Sequence, residues 1–426
     1  MTTILAPPAV ALERLLALAG TLEPPFVLLE DGLGSGPTHL VWGAARRACR
    51  RFGEPGPLPD AAGAVPWYGI LSYEAGLPEW VAPAAPALAQ PLAEWFVPEN
   101  RILLGSDGRT VRLEGPDADA RWHAVRDQEL PAPPPVPTSA GSGPWRSFDE
   151  AGFVAAVRRA REYIAAGDIY QVNLAQAERW SFAGPAWDAY RRLRAVNPSP
   201  WMGFADFGDW QLVCGSPELL IEVTPGEGPE GAGGSARTRP IAGTRKKTGD
   251  PGRDARMRAE LQLDEKERAE HLMLVDLARN DLGRVSAYGS VQVAEREIVE
   301  EYSHVFHLVS EVRGRLRPDA SAADVVGSVF PGGTITGCPK LRAMEIIREL
   351  EPVGRGAYTG ALGWIGADAL QLNIVIRSAV VSAGQVLVQA GAGIVADSIP
   401  EREWRESLRK AAAVRLAFGV SSSVAE

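Results

Sequence analysis

The stretch Leu372-Asn373-Ile374-Val375-Ile376-Arg377-Ser378-Ala379-Val380 sets one guanidinium inside an apolar run rich in β-branched residues. It reads as a strand over 372–380, followed by the turn Ser382-Ala383-Gly384 and a second strand over 385–389. Two strands joined by so short a turn are antiparallel. Alternation puts Arg377 on the face that carries Asn373 and Val375, where an unpaired charge is costly. The arginine therefore needs an anionic partner, either a structural Asp or Glu or a ligand carboxylate gripped by both prongs of the guanidinium. Gly391-Ala392-Gly393 reads as a segment after the strand where backbone N–H groups can approach an anion closely; a plain turn is the alternative.

Working outward, residues 400–418 have a helical pattern, with proline in the first turn and Gly419 after the end. Residues 340–350 form another helix, entered from the glycine cluster Pro331-Gly332-Gly333-Thr334-Ile335-Thr336-Gly337. Residues 264–280 are helical, with Asp264 and Glu267 in capping-box spacing and Gly283 past the end. Residues 148–166 place Phe153, Val154, Val157, Ala160 and Ile164 on one helix face, and a short strand over 170–175 follows Gly167. The class is α+β, with large mostly antiparallel β-sheets packed with helices. The run from Pro131 to Pro137 and the glycine- and serine-rich residues after it cannot build a helix or a central strand. A region over 1–130 is thus divided by a linker or surface loop over 131–146 from a larger domain over 147–420. A second loop covers 226–235.

A chain of 426 residues suggests two or three domain-sized units. Its net charge of −9 argues against a nucleic-acid or acidic membrane surface, though a local basic pocket remains compatible with it. No run approaches the roughly 18 apolar residues needed to span a bilayer, and the first residues lack the pattern of a signal peptide. Cys49, Cys214 and Cys338 are odd in number and far apart, which fits a reducing cytoplasm rather than a disulfide framework. A soluble cytoplasmic protein is expected.

Glu267 and Glu270 are three residues apart on one helix, and Glu403 and Glu406 are three apart on another. Each pair shares a helix face, so two facing helices would gather four carboxylates that suit a hard cation such as Mg²⁺. The same residues also fit a solvated face: Glu267 can cap its helix, and Lys266–Glu270 and Glu406–Lys410 have ion-pair spacing.

These segments resemble the chorismate-utilising enzyme family from about Phe148 to Phe418. The matching stretches are Gly167 to Leu174, Gly215-Ser216-Pro217-Glu218, Arg239 to Arg245, the segment around Glu270, Ser303 to His307, Pro331 to Lys340, Arg377, and Gly391 to Lys410. The resemblance implies the family's sandwich of extended sheets, in which the N-terminal region packs with the rest. It implies Mg²⁺ held by Glu270 and Glu406, with Glu267 and Glu403 on metal-bound water. Arg377 and Tyr358 would hold the enolpyruvyl carboxylate of chorismate, aided by backbone near Gly391 and Gly393, with Thr336 and Gly337 in the same pocket. Lys410 would pair with the metal-site acids or the ring carboxylate. Glu218 corresponds to the general acid that protonates the departing C4 hydroxyl. His307 corresponds to the histidine beside the reacting ring, and Ala242 and Thr244 belong to the catalytic segment.

The resemblance also bears on the branch. Water-using relatives carry a lysine base where this chain has Gln171, so an amino-transferring reaction is implied, with ammonia from a separate glutamine amidotransferase subunit. Ala242 stands where many aminodeoxychorismate synthases place a nucleophilic lysine; anthranilate synthases, and one subclass of aminodeoxychorismate synthases that uses a noncovalent 2-amino route, have alanine. Residues 168–174 and 330–337 lean toward the 4-amino product of the folate pathway, and anthranilate is the alternative. Asp31 stands where tryptophan-regulated relatives usually have serine, and the family's tryptophan-pocket motif is only partly kept in Asn197-Pro198-Ser199-Pro200-Trp201-Met202, so feedback by tryptophan is not expected. A non-catalytic chorismate-binding partner is the alternative of a different class.

Overall fold

The computed structural model describes residues 2–34, 36–51, 54, 56, 58–61, 63–125, 132, 135, 144–226, 234–302 and 304–420. Most of the 131–146 linker and of the 226–235 loop, together with Ser303, lies outside them.

Among the described residues, two antiparallel sheets carry the fold. The first has twelve strands, whose main path runs 2–5, 110–114, 100–104, 38–42, 26–30, 201–206, 210–216, 378–382, 385–394, 171–181 and 337–338. The second has ten, with the path 241–246, 305–315, 235–238, 219–224, 370–374, 361–365, 67–71, 93–97 and 46–50. Strands from before and after the proline-rich run are neighbours in both sheets: Phe26–Glu30 pairs with Trp201–Asp206, and Trp67–Leu71 pairs with Ala361–Ile365. Between the sheets, Val27, Leu29 and Val41 meet Tyr68, Ile70, Phe96 and Leu362 in one apolar core. Helices cover the outer faces. Pro8–Ala19, Ala186–Val196 and Pro400–Ala417 pack on the first sheet, and Glu265–Gly283 packs on the second. Among the described residues no helix is long and apolar enough to cross a membrane.

The run over 372–380 is not one strand. Leu370–Ile374 belongs to the second sheet and Ser378–Ser382 to the first, with Arg377 at φ 52° in the break between them. Buried on both sides, the segment has no polar face from which alternation could reveal the change of sheet. A neighbouring ribbon makes the opposite passage: Trp210–Ser216 ends in the first sheet and Leu219–Thr224 begins in the second. Hydrogen bonds from Ile374 N to Glu218 O (3.1 Å) and from Gly215 N to Arg377 O (3.1 Å) tie the two crossings together. Strands that switch sheets are a normal way to turn a corner between packed sheets. Here the corner carries Glu218 on one ribbon and Arg377 on the other.

The second strand is also longer than its pattern showed. Gln385–Ile394 runs through Gly391-Ala392-Gly393, which pair with Ala175, Leu174 and Asn173 as ladder residues rather than forming a turn after the strand. A Cβ on Gly391 would stand 2.5 Å from Asn173 Oδ1 and 2.6 Å from Leu174 O, so close approach is what the glycine supplies. The partner strand, Gln171–Ser181, likewise extends beyond the expected 170–175.

Candidate active site

Glu218 sits at the sheet crossing, nearly fully buried, and accepts a hydrogen bond from the Thr334 hydroxyl at 2.6 Å. Burial pushes its carboxyl up to about 7, against the opposing pull of Thr334 and of the Lys410 charge. His307 lies on the strand Val305–Arg315, with Nδ1 3.1 Å from the Thr244 hydroxyl and 3.2 Å from Gly243 O. Burial, with Arg377 and Lys410 nearby, lowers it to about 4, so the ring is neutral near pH 7. The Tyr302 ring packs edge-on against it, centroids 5.1 Å apart. Ala242 is buried in the strand Ile241–Lys246, beside the irregular pairing that surrounds Gly243.

Arg377 donates to Lys410 O at 2.9 Å, and among the described residues it makes no ion pair. Of the two partners considered for it, a structural Asp or Glu is not found among the described residues within ion-pair distance, and a backbone carbonyl uses only part of the guanidinium. Tyr358 is buried nearby, with its hydroxyl close to the Gly391 backbone and its electrostatic surroundings shaped by Arg355 and Arg377. Gly393 leaves its space to Gln171, whose Nε2 would stand 2.7 Å from a Cβ there. Gly337, at φ 142°, pairs with Val172 at the end of the same strand. Thr336 is fully buried and turns its hydroxyl onto Gly332 O (2.8 Å), within its own short helix.

Gln171 donates to Glu270 Oε1 at 3.0 Å, and its own buried Oε1 has no hydrogen-bond partner among the described residues. Burial first, and then the neighbouring Glu267, raises the Glu270 carboxyl. Glu267 itself accepts from Arg245 at 2.9 Å rather than closing a capping box, while Asp264 caps the helix. Burial raises Glu403, and Glu406 adds to the effect. At Glu406 burial also pushes upward, but Lys410, Arg409 and Arg377 outweigh it and hold the carboxyl below its usual value. Lys410 Nζ lies 2.8 Å from Glu406 Oε1, the ion pair that the spacing allowed. Lys410 and Lys266 act on both Glu270 and Glu403, so the two helices share one charged neighbourhood.

Among the described residues no three His, Cys, Asp or Glu converge closely enough to hold an ion with the side chains as placed. The donor set is nevertheless all carboxylate: burial, and secondarily the neighbouring Glu267 and Glu406, raises Glu270 and Glu403, and a hard cation would stabilise their ionised forms. In chemical type, the residues fit Mg²⁺.

The residues suggested for an effector form a separate corner. Gly32 N bonds Ser199 O at 2.9 Å, Met202 pairs with Glu30, and Asp31 Oδ1 accepts from Leu33 N at 2.8 Å. The Met202 side chain fills the space over Gly32, where a Cβ would meet Sδ at 2.6 Å. Trp201 opens the strand that pairs with Trp210–Ser216, after Asn197 and Pro200 at the end of the preceding helix. Sequence reading missed Thr334, Tyr302 and Arg355. Thr334 lay within a quoted motif, but nothing in its neighbours marks it as the partner of Glu218.

The description "chorismate binding enzyme" fits residues 36–415 of this chain. The chain is 47% identical over 322 residues to aminodeoxychorismate synthase component 1 of Bacillus subtilis, covering 74% of this chain and 66% of that protein. It is 44% identical over 385 residues to anthranilate synthase component 1 of Streptomyces coelicolor, covering 84% and 73%. Among solved structures, anthranilate synthase component I from Streptococcus pneumoniae superposes with a TM-score of 0.75 at 30% identity, over 89% of this chain and 92% of that one. The menaquinone-specific isochorismate synthase of Escherichia coli shares the fold, with a TM-score of 0.75 at 21% identity, over 98% and 94%. The chain belongs to the chorismate binding enzyme family.

Proposed function

We propose that this chain is the chorismate-aminating subunit, component I, of an aminodeoxychorismate synthase. It would join chorismate and ammonia to give 4-amino-4-deoxychorismate, with the ammonia made by a separate glutamine amidotransferase subunit. The observation that carries this reading is Glu218: a buried carboxyl, raised to about 7, on one ribbon of the sheet crossing whose other ribbon carries Arg377, an arginine that makes no ion pair among the described residues. Hydroxide is a poor leaving group, and an acid of that pKa is protonated often enough at neutral pH to deliver the proton its departure needs. Thr334 occupies Oε1, which leaves Oε2 to present the proton. Arg377 and Tyr358 would hold the enolpyruvyl carboxylate, since a guanidinium grips a carboxylate by two parallel hydrogen bonds. A proton on His307 Nδ1, donated to Gly243 O, leaves Nε2 as an acceptor.

Glu270 and Glu406, with Glu267 and Glu403 through water, would hold Mg²⁺, whose charge draws electrons from the ring carboxylate. Gln171 donates to Glu270 and has no basic nitrogen, which suits ammonia, already nucleophilic, better than water. Ala242 offers no amine for covalent attack, so the favoured route has free ammonia add at C2 as the protonated C4 hydroxyl leaves as water, after which a second ammonia adds at C4 as the C2 amine leaves. The relatives named as component 1 support a partner subunit. Ala242 and the anthranilate synthase relatives favour a second reading, anthranilate as product. Purified protein with chorismate, Mg²⁺ and excess ammonium decides between them. p-Aminobenzoate appearing only after addition of an aminodeoxychorismate lyase supports the 4-amino product; anthranilate accumulating without the lyase replaces it.

A further inference from the structure

Arg355 is among the largest fully buried side chains of the molecule, 1% exposed. A guanidinium has five N–H donors and no acceptor, and here each donor has a target. Nε and Nη2 grip Glu351 Oε2 and Oε1 at 2.9 and 2.6 Å. Nη1 reaches Ile335 O at 2.8 Å and Thr359 Oγ1 at 3.3 Å, and Nη2 reaches Asn173 O at 2.8 Å. Glu351 Oε1 also accepts from Ala175 N at 2.9 Å. The rings of Tyr73 and Tyr358 flank the guanidinium, with centroids 4.8 and 5.9 Å away. From the N-terminal region, Glu74 accepts from Arg355 N at 2.6 Å and from Gly356 N at 2.9 Å.

The targets lie on segments that also carry the site. Ile335 precedes Thr336, and Thr359 follows Tyr358. Asn173 pairs with Gly393 and Ala175 with Gly391, on the strand that begins at Gln171. Thr359 stands at φ 60°, a backbone conformation that a β-branched residue adopts only when its surroundings enforce it. We infer that Arg355, clamped by Glu351, is a positioning residue: it fixes the Thr336, Tyr358 and Gly391–Gly393 segments to one another and so sets the wall against which a substrate carboxylate binds. The assignment rests on the functional reading above. Lysine cannot replace it, because an ammonium has three donors and cannot grip Glu351 with two prongs while reaching three separate segments.

The test measures chorismate binding by calorimetry, KM and kcat with ammonium, and thermal unfolding, for wild type and Arg355→Lys. Loss of a wall that binds ground state and transition state alike raises KM and leaves kcat nearly unchanged. The expected result is a KM and dissociation constant raised about tenfold or more, as about 1.4 kcal/mol of binding predicts, with kcat within a few-fold. Thr359→Val, which removes only one target, should move KM the same way by less, and Thr359→Ser should restore it; this pair keeps the test open if Arg355→Lys does not fold. Lowered thermal stability with unchanged KM and binding in these variants would make Arg355 structural only and overturn the inference. Wild type that binds no chorismate would remove the functional reading, and the inference with it, whereas wild-type binding with unchanged variants removes the inference alone.

Discussion

Glu218 and His307 are buried groups moved in opposite directions by one cause, because burial penalises whichever form is charged. With free ammonia held constant, turnover should fall as pH rises through about 7, since only the protonated Glu218 carboxyl can serve the leaving group. The Thr334 hydroxyl favours the ionised form, so Thr334→Val should move that midpoint upward in a pH–rate profile. Glu218→Gln should lower kcat by about 10²–10⁴-fold, with calorimetry still showing chorismate bound. The shift has a signed effect on stability as well. A carboxyl raised from 4.5 to about 7 contributes stability that is fully present below about 4.5 and lost as pH rises through about 7. Relative to wild type, Glu218→Gln should therefore be more stable at pH 8 than at pH 5, by up to ~3 kcal/mol at about 1.4 kcal/mol per unit, measured by denaturant titration at both pH values. At Ala242, which is buried on its strand, Ala242→Lys should form a covalent adduct with chorismate, read by intact-protein mass, if the pocket accepts the lysine route. Absence of any adduct in a folded variant would show that it does not.

At the scale of elements, close approach and open space separate two glycines. Gly391→Ala drives a Cβ against Leu174 O in the neighbouring strand and should cost about 1–3 kcal/mol, as overpacking does. It should also raise KM for chorismate, because the strand positions Gln171. Gly283, at the end of its helix, has nothing within 4 Å of an added Cβ, so Gly283→Ala should be neutral or gain up to ~1 kcal/mol by helix propensity. Thermal melts of the two variants beside wild type check both. The helices were legible because apolar spacing and end signals agree. Lys340–Leu350 has its expected bounds, and Asp149 caps Glu150–Ala166 with Gly167 left-handed after it. The turn at Ala383-Gly384 also held, with both residues at positive φ, as a tight hairpin requires. The sheet crossing at Arg377 was not legible, since a segment buried on both faces carries no alternation to betray it. Nor was the Arg355 hub, whose targets come from residues 173, 335, 351 and 359. A single chain does not announce which distant carbonyls will surround a guanidinium.

For the whole molecule, the decisive fact is that neither sheet can be completed from one side of the proline-rich run. The first sheet needs Phe26–Glu30 beside Trp201–Asp206, and the second needs Trp67–Leu71 beside Ala361–Ile365. The core between the sheets draws Val27, Val41, Tyr68 and Phe96 from one side, and Leu212, Leu362, Val380 and Leu387 from the other. A fragment beginning near residue 144 would expose the edges of Trp201–Asp206 and Ala361–Ile365 together with that apolar surface, which are conditions for aggregation. It would also lose Glu74, which binds the backbone at Arg355 and Gly356. The intact chain should therefore unfold in one transition, with tryptophan fluorescence and far-ultraviolet circular dichroism coincident and the calorimetric enthalpy equal to the van't Hoff value. Fragments 1–143 and 144–426 should each lack a cooperative melt alone and recover one, with chorismate binding, when refolded together. A 144–426 fragment that melts cooperatively and binds chorismate by itself would show that shared strands do not make the two regions one folding unit.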